Sequence, residues 1–255
     1  MVIAVERIKC ILSYDGTSFS GFQVQPNGRT VQQEIEQALQ RMHKGEFTRI
    51  TASGRTDAGV HAKGQVIHFD TSLNIPPMNW KKALNTLLPA DILIMQVERV
   101  TDQFHARFDV VEKEYHYFIL NQEDQDLFTR NYTYHYPYPL NMEWMNEACN
   151  YLQGEHDFTS FCAANTGVKG DKIRTIYHAS CTQEDNTIRF VIKGNGFLYN
   201  MVRIIIGTLV EIGQGERPPS AIEEIVSKRN RSAAGKTAPA QGLFLWNVVY
   251  NNDKL

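Results

Sequence analysis

Between Gly54 and Ala62 the chain reads G-R-T-D-A-G-V-H-A. Asp57 sits there among small residues, with Arg55 before it and His61 after it. Glycines on such a loop let backbone come close to a ligand. The positive charge of Arg55 helps keep the neighbouring carboxylate ionised. An ionised carboxylate on a tight loop can serve as nucleophile, general base or electrostatic stabiliser. The same residues also suit a surface turn in which Asp57 caps backbone N–H groups. Spacing alone leaves these readings open.

The elements that must carry this loop are legible from periodicity and punctuation. Arg7–Tyr14 alternates like a strand and closes on the turn pair Asp15-Gly16. Thr30 can cap a helix whose apolar residues recur at Val31, Ile35, Leu39 and Met42. After the loop Thr51–Ala62, a strand is predicted at Gly64–Asp70, a helix at Asn79–Leu88 and a strand at Ile92–Val100. A second series follows a boundary near residues 105–112. It has a strand at Lys113–Asn121, a helix at Glu143–Gln153, and strands at Arg174–Cys181 and Thr187–Lys193. A long apolar helix is predicted at Phe197–Ile212, a further helix at Pro218–Lys228 with Pro219 in its first turn, and a last strand at Leu243–Tyr250. This order points to an α+β chain with mainly antiparallel pairing, divided into residues 1–110 and 111–255.

Composition is that of an ordinary globular protein, with 42% apolar and 21% charged residues in 255. The start, MVIAVERIKCILSYDG, lacks the basic and apolar pattern of an export signal, and no stretch is apolar enough to span a membrane. Cys10, Cys149, Cys162 and Cys181 form no C-x-x-C pair, so no zinc site and reduced thiols are expected, and with them a cytoplasmic location. A net charge of −2 counts mildly against a nucleic-acid partner, and neither half is basic. Any RNA must therefore meet a local basic groove. Lys228–Lys236 is a basic, small-residue loop that suits either solvent or a phosphate.

G-R-T-D-A-G-V-H-A closely resembles the active-site motif of the TruA family of tRNA pseudouridine synthases (tRNA pseudouridine synthase A). Further resemblances run in family order along almost the whole chain. They are Tyr14-Asp15-Gly16 with Gly21-Phe22-Gln23, Asn85 with Leu87-Leu88-Pro89, Phe104-His105-Ala106-Arg107 and Lys113-Glu114-Tyr115-His116-Tyr117. Later come Gly154–Phe161, Gly196–Arg203 and Ala238–Leu243.

The resemblance implies two similar ferredoxin-like or RRM-like halves whose mainly antiparallel sheets join into one extended sheet with a central cleft. It implies isomerisation of uridine to pseudouridine in the anticodon stem-loop of tRNA, by a homodimer. The reaction breaks the N1–C1′ bond, turns the uracil and joins C5 to C1′, and needs no cofactor, nucleotide or metal. Asp57 resembles the family's essential aspartate, and the choice between attack on sugar, attack on base and a glycal path stays open. Arg203 matches the arginine that pairs with that aspartate, a role suited to a bidentate guanidinium. Tyr115 resembles the active-site tyrosine, whose ring can stack on a flipped uracil. Arg55 is the candidate for opening the base stack. His61, Lys63, Lys169, Lys172 and Arg174 are candidates for phosphate contacts, with His61 and Lys63 nearest the motif. Two other readings remain at this point. One is an RNA-binding protein without catalysis. The other is a nucleoside hydrolase, which wants a second carboxylate such as Asp70 or Asp109.

Overall fold

The structure is a computed structural model and describes residues 5–163 and 170–251. Its strands are β1 (Glu6–Tyr14), β2 (Thr51–Ala52), β3 (His61–Thr71), β4 (Ile92–Val100), β5 (Val110–Leu120), β6 (Tyr134–His135), β7 (Gly154–Asp157), β8 (Ile173–Glu184), β9 (Thr187–Gly194) and β10 (Leu243–Tyr250). Its α-helices are α1 (Val31–Met42), α2 (Pro77–Leu87), α3 (Met142–Leu152), α4 (Met201–Gly213) and α5 (Ala221–Lys228). The class is α+β, as expected. None of the described helices is long and apolar enough to cross a membrane.

The chain divides into two compact units, one of Met1–Val111 with Leu245–Leu255 and one of Glu112–Phe244. In the first, the strand order is β4-β1-β3-β10. β1 runs antiparallel to both β3 and β4, with Cys10 opposite Ile67 and Val97. The alternation read in β1 buries Ile8, Cys10, Leu12 and Tyr14. α1 opens on Thr30, whose side chain accepts the Gln33 N–H, as its sequence predicts. Ile35, Leu39, Trp80 and Leu84 lie fully buried on α1 and α2. The sequence division placed all of 111–255 together, whereas the closing residues 245–255 count with the first unit.

In the second unit the order is β5-β9-β8-β7, all antiparallel, with β6 parallel to β5. α3 packs on β8 and against α4 and α5. α4 is its most apolar element, with Ile204, Ile205, Ile206, Leu209 and Ile212 at 0% exposure. It begins at Met201 rather than at the predicted Phe197. Asn200, at φ 60°, takes the left-handed conformation and holds Phe197–Asn200 out of the helix, although the apolar run continues through it. The four cysteines are buried and unbridged.

Candidate active site

The Asp57 loop lies between β2 and β3 and is clasped by the segment that follows β1. Asp57 opens a turn in which its carbonyl accepts the Val60 N–H at 3.2 Å, and Gly59 takes φ 76° within it. That backbone suits glycine. Tyr14 Oη and Thr56 Oγ1 meet at 2.8 Å in the interior. Burial pushes the Tyr14 phenol up to about 12, so it stays protonated and able to donate at neutral pH. The Thr56 carbonyl accepts the Phe22 N–H at 3.0 Å, and the Phe19 carbonyl accepts the Gly59 N–H at 3.3 Å. Gly16 lies so close to the loop that a Cβ there would be 2.0 Å from the Val60 carbonyl oxygen. Gly21, at φ 104°, would bring a Cβ to 3.1 Å from the Thr56 oxygen. The backbone on both sides of Asp57 is thus fixed by tertiary contacts. Asp57 is half-buried, while Arg55 and Lys63 are exposed.

His61 is placed otherwise than its sequence reading. It starts β3 with 1% exposure, so it is not on the surface where a phosphate would come. Its Nδ1 accepts the Gly16 N–H at 2.9 Å and lies 3.2 Å from Asp15 Oδ1. The Gly16 N–H is directed at the Nδ1 lone pair. His61 therefore pins the Tyr14–Gly16 turn to the loop. His61→Leu would leave a buried N–H without this acceptor, at an expected cost of about 1–3 kcal/mol. His61→Asn, which keeps an acceptor near the Nδ1 position, is expected to recover most of the lost melting temperature. Weaker tRNA binding by His61→Leu with unchanged melting would restore the phosphate reading.

Tyr115 lies on β5, opposite Ile192 of β9. It is 8% exposed, and its ring meets Phe197 edge-on, with centroids 5.1 Å apart and planes at 80°. Phe197 belongs to the segment that the left-handed Asn200 keeps out of α4, so that irregularity is what brings its ring to Tyr115.

Arg203 sits in the first turn of α4 and is held from two sides. Its Nε donates to the Ala238 carbonyl at 2.7 Å, and its Nη1 donates to Asn200 Oδ1 at 3.1 Å. The Ala238 N–H returns to the Arg203 carbonyl at 3.0 Å. Next to it the Tyr117 hydroxyl donates to the Pro239 carbonyl at 2.8 Å, and Gly242 approaches the Tyr117 ring so closely that a Cβ would meet it at 2.7 Å. Ala238–Gly242 is thus a strap that fixes the guanidinium. The sequence alone assigns no role to this strap or to Tyr117, whose contacts join residues remote in sequence, nor to Asn200, three residues before Arg203, whose contact depends on its left-handed backbone. Tyr117→Phe removes the donor to Pro239 and is expected to cost about 1 kcal/mol, seen as a fall of a few degrees in melting temperature.

The other candidates are dispersed. Arg174 Nη1 donates to the carbonyls of Asp171 and Ile173 at 3.1 and 2.6 Å, and Lys172 is half-buried. Lys169 lies outside the described residues. Within Gly154–Phe161, Asp157 accepts the Thr159 N–H at 2.9 Å, and Phe158 and Phe161 are fully buried, a packing role. The carboxylates that a hydrolase would need are engaged in the first unit. Asp70 takes a bidentate pair from Arg7 at 2.6 and 2.7 Å, and Asp109 Oδ2 accepts the His105 N–H at 2.7 Å.

Known proteins give this geometry a family. A family model described as tRNA pseudouridine synthase matches residues 11–109 and 148–251. The chain is 57% identical over 249 residues to tRNA pseudouridine synthase A of Oceanobacillus iheyensis, covering 98% of each. It is 58% identical over 248 residues to tRNA pseudouridine synthase A 1 of Bacillus cereus, covering 97% of this chain and 100% of that one. With the motif loop and its clasp in place, and matches of this extent, the chain belongs to the tRNA pseudouridine synthase family.

Proposed function

We propose that this chain isomerises uridine to pseudouridine in the anticodon stem-loop of tRNA, with Asp57 as the catalytic carboxylate and no cofactor. The observation that carries the reading is the clasped loop. A reacting carboxylate must be held in one geometry, and the contacts from Tyr14, Gly16, Phe19 and Phe22 hold Thr56, Gly59 and His61 on either side of Asp57.

The residues divide the work as follows. Asp57 acts on the target nucleotide once it has left its stack, a step that costs a few kcal/mol. Exposed Arg55, long and cationic, fills the gap that the base vacates, and exposed Lys63 meets backbone phosphate. Tyr115, its ring braced by Phe197, stacks on the uracil. Arg203, its guanidinium aimed by Ala238 and Asn200, stabilises negative charge. The protein works as a cytoplasmic homodimer, which would let modest basic areas add up to a surface of tRNA size despite a net charge of −2.

Nuclease digestion of tRNA after incubation with the protein, followed by chromatography of the nucleosides, tests the reaction. Pseudouridine in place of uridine is expected. Free uracil would mean hydrolysis instead, and bound but unchanged tRNA would mean a binding protein.

A further inference from the structure

A second feature of the first unit points to a nucleobase. Between β4 and β5 the chain makes a tight turn, Phe104–Asp109, whose tip is Phe108. The turn is pinned at successive residues. The Asp109 N–H donates to the His105 carbonyl at 3.1 Å, and the His105 N–H donates to Asp109 Oδ2 at 2.7 Å. His105 Nδ1 accepts the N–H groups of both Arg107 and Phe108, at 3.1 and 3.2 Å. Ala106 is held twice, its N–H on His68 Nδ1 at 3.1 Å and its carbonyl on the Tyr250 hydroxyl at 2.6 Å.

The rings form a rising stack. His68 on β3 meets His105 edge-on at 5.1 Å, and His105 lies nearly parallel beneath Phe108, with centroids 4.2 Å apart and planes at 23°. One face of the Phe108 ring is therefore supported, yet the residue remains 76% exposed. The Arg107 guanidinium carbon is 5.9 Å from its centroid, and Arg107 is itself exposed. A rigid, flat apolar face beside a cation matches a base with its phosphate. Phe128 is more exposed, at 91%, but follows Glu123, Asp124 and Asp126 in the sequence, and its N–H is held by the Asp126 carboxylate, whose charge repels a phosphate.

We propose that Phe108, backed by His105 and flanked by Arg107, is a stacking platform for an unpaired base of the tRNA substrate. This rests on the proposed function for its ligand and adds a base-binding residue to Asp57, Tyr115 and Arg203. The turn fixes the ring before RNA arrives, so little order is lost on binding.

The test is binding of unmodified tRNA, and of a fully paired RNA duplex, to wild type, Phe108→Ala and Phe108→Trp. Phe108→Ala is expected to weaken tRNA binding about 10-fold, leave duplex binding and melting temperature unchanged, and leave the salt dependence as in wild type. Phe108→Trp is expected to bind tRNA at least as well as wild type. Wild-type affinity in Phe108→Ala, together with pseudouridine formation by wild type, would overturn the platform and leave the enzyme reading standing. Wild type that neither binds nor modifies tRNA would remove both. Sedimentation showing a dimeric wild type and a monomeric Phe108→Ala would overturn the platform by assigning Phe108 to a contact between copies.

Discussion

Asp57→Asn is expected to lower the rate of pseudouridine formation at least about 1,000-fold while leaving the fold and tRNA affinity nearly intact. The side chains match in size, and the bond that closes the turn uses the Asp57 carbonyl, which the substitution keeps. What is lost is the negative charge and the lone pairs that make a carboxylate a nucleophile or base. A positioned acid or base alone contributes about 100- to 10,000-fold, and loss of a nucleophile takes more. Single-turnover kinetics with saturating enzyme isolates that step. A loss confined to KM would mean that Asp57 binds rather than reacts.

Gly16→Ala should damage the same step by geometry alone. Its methyl would fall 2.0 Å from the Val60 oxygen and 2.5 Å from the Val60 carbonyl carbon, backbone against backbone, so one strand of the clasp must move. The Val60 N–H donates to the Asp57 carbonyl, which carries the displacement to Asp57. Overpacking of this kind costs about 1–3 kcal/mol. A shift of about 1 Å at a catalytic group costs roughly 100-fold in rate. A fall of several degrees in melting temperature and a fall in kcat with little change in KM are expected. Wild-type kcat in a destabilised Gly16→Ala would show that the clasp holds the fold but does not aim Asp57.

Much of this architecture was legible in advance, for physical reasons. β4 and β10 have their predicted limits because turn residues bound them and their side chains alternate or pack on both faces. α1 was fixed at its start by the Thr30 cap. β2, β6 and β7 have two to four residues each, too few for a period to register. The start of α4 was misplaced because apolar residues continue through Phe197 and Leu198, and only the left-handed Asn200 interrupts the helix. The motif loop was read, but not the role of His61, since a histidine's burial depends on Gly16 across the clasp. The support of Arg203 by Ala238 and Asn200 was invisible for the same reason. Half of it is the Ala238 backbone carbonyl, which leaves no mark in residue type, and the other half is an Asn200 side chain that a left-handed backbone aims at the guanidinium. The return of residues 245–255 to the first unit likewise has no local signal.

The most direct test of Asp57 as the centre of an isomerase is tritium release from unmodified tRNA labelled at uracil C5, with wild type and Asp57→Ala side by side. Joining C5 to C1′ expels that hydrogen, so release by wild type and none by the variant is the expected result. Equal release by both proteins would remove Asp57 from the chemistry. No release by wild type that binds tRNA tightly would contradict the isomerase reading itself.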